Sequence, residues 1–206
     1  MAAMRRLTIL FFVIGFLAVV LQQLRGREPG DSSVARLSPQ QAKQTIQKQA
    51  SLVIDAIQSK NMDLLATYVD PVKGVRFSPF PTIDTDLDPV LSAREVRAGL
   101  GDDRKRVWGN SDASGEPINL NFAGYYGKFI YDRDFARAPV IRFNEFAAKS
   151  TDRNNFWEIY PDAVLVEYYF PASTANGNDW AALRLAFEKR DGRWFLCGVI
   201  HDTWTM

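Results

Sequence analysis

The chain has 206 residues, enough for one compact domain with an appendage, and its hydrophobic content of 47% is that of an ordinary globular protein. Lysine plus arginine (25) nearly balance aspartate plus glutamate (24), and no basic stripe interleaves with aromatic residues, which excludes the electrostatic footprint of a nucleic-acid surface. The one cysteine, Cys197, and the one histidine, His201, exclude an intramolecular disulfide and any single-chain metal site built from several nitrogen or sulfur ligands.

Arg5 and Arg6 precede an unbroken apolar run over residues 7–21, closed by Gln22, Gln23, Leu24 and Arg25. As a helix such a run rises about 22 Å, between a signal-peptide core and a spanning helix. The segment Leu24-Arg25-Gly26 lacks the small residues that cleavage needs, so the expectation is an uncleaved signal anchor over 1–25 with its N-terminus inside. Residues 26–37 then read as a tether and 38–206 as the folded domain.

Ser38, Pro39 and Gln41 supply an N-cap, a first-turn proline and a capping-box partner, and Ile46, Ala50, Val53, Ile54 and Ile57 follow at helical spacing. This predicts a helix over 39–59. Asn61 caps a shorter one over 62–69, stopped by Asp70-Pro71. Residues 74–78 alternate as a strand before Pro79 and Pro81. Ser92 and Glu95 form a second capping box, opening a helix that Gly99 and Gly101 end. A strand at 106–108, a loop over 110–117, a helix over 121–131, a strand at 140–143 and a single helical turn at 155–160 complete the middle. The remainder is sheet: a strand over 163–170, then a hairpin from Trp180 onward, turned by Asp191-Gly192 in the manner of a type I′ turn. Early helices and late antiparallel strands make the fold class α+β, with the N-terminal helices packed on one face of a curved, mainly antiparallel sheet.

This order of elements resembles the cone-shaped fold of the nuclear-transport-factor-2-like superfamily, which includes ketosteroid-isomerase-like and polyketide-cyclase-like proteins. More specifically, Lys73-Gly74-Val75-Arg76-Phe77-Ser78-Pro79, Tyr160-Pro161-Asp162-Ala163, Val166-Glu167-Tyr168, Trp180 with Leu183-Arg184-Leu185, and His201-Asp202-Thr203-Trp204-Thr205 resemble a family of uncharacterised bacterial exported proteins, from about residue 40 to the end. The resemblance implies a single-pass inner-membrane protein with its domain outside the cytoplasm, or a periplasmic or secreted one if the signal is cut. It implies no activity or ligand, because fold likeness alone does not supply function.

The hairpin register can be traced outward from its turn. Arg190 faces Arg193 and, counting on, Glu188 faces Phe195, Ala186 faces Cys197, Arg184 faces Val199 and Ala182 faces His201. One face then carries Leu183, Leu185, Phe187, Leu196 and Ile200 under the helices. The other holds small residues around Arg184 and His201, which stand diagonally at a spacing suited to gripping one anion. The competing expectation is that Arg184 pairs with Glu167 on the neighbouring strand.

Other readings meet obstacles. His201 and Asp202 are successive strand residues pointing to opposite faces, so Asp202 does not orient His201 without a bulge. Cys197 and His201 stand about 13 Å apart along the strand, too far for one zinc ion. Asp84, Asp86 and Asp88 lack the glycine turn and distal glutamate of a calcium loop of the EF-hand type. No nucleophile elbow, phosphate-cradling loop or dinucleotide fingerprint occurs, and no cofactor or metal is expected. Tyr125, Tyr126, Tyr168 and Tyr169 read as core.

The first expectation is therefore a membrane-tethered, non-enzymatic domain binding a small ligand or an envelope protein. Arg76 and Arg184 act in it as anion grips, His201 as a polar contact and Trp204 as an apolar wall. The second is an enzyme of isomerase or dehydratase type with His201 as base, which requires a closed cavity and a second titratable group within about 3.2 Å. The third is a dimerisation domain that buries the mixed sheet face against its copy in a homodimer.

Overall fold

The computed structural model describes residues 36–148 and 153–204. The apolar run at 7–21, and with it the signal-anchor expectation, lies outside them. Among the described residues no helix is long and apolar enough to cross a membrane.

The first long element is α1, Pro39–Gln58, and it starts where its caps dictate. Gln41 donates its N–H to Ser38 Oγ, while Ser38 N–H donates back to Gln41 Oε1 at 2.9 Å, so two otherwise orphaned donors are satisfied. One face of α1 buries Ala42, Ile46, Ala50, Val53, Ile54, Ala56 and Ile57. Helix α2, Met62–Ala66, is capped by the Asn61 side chain and ends before residue 69. The cause is a competing partner: Leu196 N–H donates to Tyr68 O at 2.7 Å and Asp70 N–H to Leu196 O at 3.1 Å, so the chain leaves the helix to run beside a strand.

That strand belongs to the main sheet. The strands are β1 (Val75–Ser78), β2 (Val90–Leu91), β5 (Val140–Phe143), β6 (Val164–Phe170), β7 (Ala181–Arg190) and β8 (Arg193–Thr203), and their spatial order is β2-β1-β8-β7-β6-β5. The β1–β8 pairing is parallel, and the other strand pairs of this sheet among the described residues are antiparallel. The short helix α3, Ala93–Ala98, opens on the expected Ser92–Glu95 capping box. Strands β3 (Arg106–Asn110) and β4 (Pro117–Leu120) form a separate hairpin, so the chain around 117–120 is strand where a loop was expected to end.

The helix expected over 121–131 divides. α4, Phe122–Tyr125, widens into a π-helical turn, Tyr126–Ile130, closed by a bond from Tyr131 N–H to Tyr126 O at 2.8 Å. Phe77, Trp108, Phe122, Tyr125 and Phe129 meet edge-on, stacked or tilted in the resulting aromatic core. A strap formed by residues 144–148 and 153–163, with helix α5 (Phe156–Ile159), crosses the opposite face of the sheet, and there Phe156 and Tyr160 pack on Leu165, Ala186, Cys197 and Ile200. The sheet is covered on both sides.

The C-terminal hairpin turns as expected: Asp191 and Gly192 have φ of 49° and 80°, the paired positive values of a type I′ turn. Its register departs from the simple count. Phe187 pairs with Leu196, but Ala186 pairs with Gly198, which leaves Cys197 as the extra residue of a β-bulge. The bulge coincides with a change of neighbour, since β8 lies beside residues 68–70 before Cys197 and beside β1 after it. Between those two contacts the chain makes a turn in which the Asp70 side chain accepts the N–H groups of Val72 and Lys73, each at 2.8 Å.

Because strand side chains alternate, the one-residue shift reverses the face of everything beyond it. Arg184 faces Ile200 rather than Val199, and His201 faces Leu183 rather than Ala182. The expected diagonal of Arg184 and His201 on one face does not form. Val199 joins the helix-side core and Ile200 the strap-side cluster, the reverse of the expectation.

The bulge leaves Gly198 beneath Tyr160, whose hydroxyl would stand 2.7 Å from a Cβ placed there. Gly198→Ala should therefore lower the unfolding free energy by about 1–3 kcal/mol, the usual cost of overpacking. Chemical denaturation measures this, and a stability equal to wild type would mean that Tyr160 does not hold the bulge down.

Candidate functional site

The four residues expected to bind a ligand occupy separate places. Arg184 is fully buried on the strap side of the sheet, directly opposite Glu167 on β6. Its Nε donates to Glu167 Oε1 at 2.9 Å and its Nη2 to Asp202 Oδ2 at 2.5 Å. All three side chains are inaccessible to solvent. Glu167 also accepts the N–H groups of Ala147 and Ala148 at 2.5 and 3.2 Å, and the Phe146 ring lies 4.9 Å from the guanidinium carbon. The pairing with Glu167 agrees with the competing expectation, and the bulge adds Asp202 by turning it to the same face. Arg184 Nη1 alone lacks a hydrogen-bond partner among the described residues. To grip a ligand anion, Arg184 would have to surrender a carboxylate in a region closed to solvent.

His201 lies on the helix side, nearly buried, with its ring edge-on to Phe129 at 5.8 Å. Asp132 Oδ1 is 3.2 Å from its Nε2, close enough for an ion pair but off the direction a hydrogen bond requires. Neither ring nitrogen has a hydrogen-bond partner among the described residues. Asp202 does not orient His201, in keeping with the alternation argument; the acidic neighbour is Asp132, at the end of the π-helical turn. Trp204 is half-buried against the small cluster of Ala148, Trp180 and Ala182.

Arg76 stands on β1, opposite Gly198, where the bulge opens the strap-side face. It lines a cleft of about 390 Å³ together with Lys73, Thr85, Val90, Ile159, Tyr160, Glu188 and Cys197. The Lys73 ammonium is ion-paired to Glu188, a contact that holds the lysine above its ordinary pKa. Cys197 lies at the floor with its thiol directed to Ala186 O at 3.3 Å, and burial pushes that thiol well up, so it is a packing group rather than a nucleophile. A second cleft, of about 210 Å³, runs between α1 and β5 past Lys43, Asp55, Phe143 and Tyr168. Neither cleft reaches His201.

Arg76 differs from Arg184 in what holds it. Its Nη1 donates to the main-chain oxygens of Thr85 at 3.1 Å and Asp88 at 2.6 Å, and no carboxylate among the described residues lies within ion-pairing distance. Neutral carbonyls fix the guanidinium without cancelling its charge. The loop that provides them is itself braced, since Asp84 Oδ1 accepts the N–H groups of Asp86 and Leu87, and Asp88 Oδ2 accepts that of Asp84 at 3.0 Å. These aspartates cap their own loop rather than converge as cation ligands, and no acidic metal cluster occurs among the described residues.

Beneath the loop the Asp88 carboxyl is buried, and burial pushes it up to about 6. Gly109, with φ of 98°, lets β3 close over it, because a Cβ there would come within 3.0 Å of Asp88 Oδ1. Ser78 Oγ lies beside this carboxyl, where its hydroxyl favours the ionised form, and Tyr125 Oη, in the core near it, is buried and without a hydrogen-bond partner among the described residues. Lys73, Glu188 and Asp88 are neighbours of Arg76 that the sequence did not assign to it. Lys73 and Arg76 share the motif that carries the resemblance, which was the available signal; Glu188 joins only through sheet register.

No family model matches the chain, and no curated protein does. Among solved structures, similarity extends to a chain from Xanthomonas campestris assigned as a calcium/calmodulin-dependent protein kinase II association domain, at 14% identity over 77% of this chain and 85% of that one, with a TM-score of 0.35. It extends also to Aln2 from a Streptomyces species, at 12% identity over 82% of this chain and 93% of that one, with a TM-score of 0.36. Likeness of this degree carries no functional argument, and the chain's own geometry must carry it.

Removing the Arg184 guanidinium leaves two buried carboxylates facing each other. Arg184→Ala should cost about 3–5 kcal/mol of stability, as is usual when one member of a buried ionic group is deleted. A urea titration showing less than about 1 kcal/mol would instead mean that this guanidinium is free for another role.

Proposed function

We propose that the domain is a non-enzymatic, nuclear-transport-factor-2-like module that binds a small anionic ligand in the cleft at Arg76. The observation that carries this reading is a guanidinium held rigidly by two main-chain carbonyls, with no carboxylate against it, on the wall of a cleft of about 390 Å³. Such a volume lies in the range of small-molecule sites, and an arginine with no carboxylate in direct contact is preorganised for a carboxylate, sulfonate or phosphate group. Tyr160 and Ile159 supply apolar surface for the rest of the ligand, and Lys73 with Glu188 borders the opening. This reading is favoured over proton-transfer catalysis because His201, although Asp132 is beside it, lines neither cleft.

The proposal extends to location. The apolar run at 7–21 behind Arg5 and Arg6 would hold the domain at the outer face of an inner membrane, on the tether 26–37. Intact mass measured on protein extracted gently from its native envelope should include Met1 to Ala35 and report any retained ligand; a mass beginning near residue 26 or 36 would replace the anchor by a cleaved signal.

Binding itself is testable with inorganic sulfate as the simplest anion, by isothermal titration calorimetry at constant ionic strength. Wild type should bind with a dissociation constant of roughly millimolar order, about −4 kcal/mol. Arg76→Gln should abolish binding and Arg76→Lys should weaken it while retaining the charge, with circular dichroism confirming the fold of each. Equal binding by wild type and Arg76→Gln, or no binding by wild type, would overturn the reading.

A further inference from the structure

Asp88 touches the Arg76 site in two ways. Its main-chain oxygen is one of the two that hold the guanidinium, at 2.6 Å. Its side chain turns inward beneath the same loop, where the residue is 5% exposed. A carboxylate there adds negative charge behind Arg76 and opposes a ligand anion in front of it. A neutral carboxyl removes that opposition without altering the loop, because the oxygen that accepts the Asp84 N–H is retained.

We propose that the Asp88 carboxyl is a built-in proton switch for the cleft: protonation strengthens anion binding at Arg76, and ionisation weakens it. This rests on the anion-binding reading of the cleft and adds its regulation. The charged and titratable groups that face Asp88 are few. Asp84, across the loop, adds repulsion that favours the protonated form; Arg76 favours the ionised form. Tyr125 from the aromatic core and Tyr160 from the strap are both pushed up by burial and stay neutral. The neighbouring Lys73–Glu188 ion pair lies at the cleft opening.

The sign follows from linkage. Burial raises Asp88 to about 6, so the carboxyl changes charge between roughly pH 5 and pH 7. A bound anion disfavours the carboxylate further, so binding must draw in protons within this window and affinity must rise as pH falls. Two like charges at a separation of several ångströms, in a partly solvated site, repel enough to change affinity by about threefold to tenfold.

Sulfate is the suitable probe because it does not itself titrate in this range. Its calorimetric dissociation constant should fall about threefold to tenfold between pH 7 and pH 5 in wild type. Near pH 6, titrations in buffers of different ionisation enthalpy should show net proton uptake on binding. Asp88→Asn keeps an oxygen for the Asp84 N–H and should bind sulfate at every pH as wild type does at pH 5, with no proton uptake. A flat affinity in wild type, or a pH dependence that persists in Asp88→Asn, overturns the switch while leaving the anion site standing. Absence of sulfate binding to wild type at every pH overturns both. If Asp88→Asn does not fold, the proton uptake of wild type decides: uptake near pH 6 supports the switch, and none overturns it.

Discussion

The arrangement of functional groups depends on one irregularity, the bulge at Cys197. β8 cannot keep a single register along its length, because its first half lies beside residues 68–70 and its second half beside β1, with the Asp70 turn between them. The extra residue falls where these neighbours change. Its consequence is not local, since a shift of one position exchanges the two faces of every later residue. Asp202 is thereby brought to Arg184 on the strap side, while His201 enters the helix-side core beside Phe129. An unbulged strand would have buried Asp202 among the aromatic residues and left Arg184 with one carboxylate.

The two arginines on the strap-side face show how the same side chain can serve opposite ends. Arg184 is enclosed, and in a medium of low dielectric its charge is tolerable only because Glu167 and Asp202 approach it directly. The group fixes the strap as well, since Glu167 takes two of the strap's N–H groups and Phe146 covers the guanidinium. Arg76 is half-buried at a cleft and is held instead by dipoles. Carbonyl oxygens orient a guanidinium nearly as well as a carboxylate does, but they leave its net charge available. Whether an arginine's charge is cancelled or left available is thus set by its partners rather than by its exposure alone.

Much of this architecture was readable in the sequence, and the reasons are local ones. The capping residues at Ser38, Asn61 and Ser92 and the Asp191-Gly192 turn each satisfy backbone groups within a few residues, so their outcome does not depend on the rest of the chain. The end of α2, the division of the helix after Tyr125 and the bulge do depend on it. Tyr68 leaves its helix for Leu196, more than a hundred positions away, and no local pattern announces such a partner. The same limit governed the site. Arg76 was singled out from its motif alone, but its joining with Glu188 and Tyr160 is a product of sheet order, and Asp132 reaches His201 only because of the path taken by the π-helical turn. Counting outward from the hairpin turn was valid for the first few pairs and failed at Cys197.

The loop of residues 84–88 links these observations. Its aspartates resemble cation ligands in sequence, yet Asp84 Oδ1 and Asp88 Oδ2 are committed to main-chain N–H groups of the same loop, and this makes the loop stiff. Stiffness is what permits its carbonyls to position Arg76. It also means that the Asp88 carboxyl can change charge without collapse of the structure around it, because the accepting oxygen stays in place in either form. A flexible loop would respond to ionisation by moving the carboxylate into water, and the effect on Arg76 would disappear. Gly109 excludes that escape on the side of β3 by bringing the backbone down onto the carboxyl. The positive charge at the cleft is therefore sensed from behind by a group that has nowhere to turn, so its protonation acts on Arg76 through charge rather than through rearrangement.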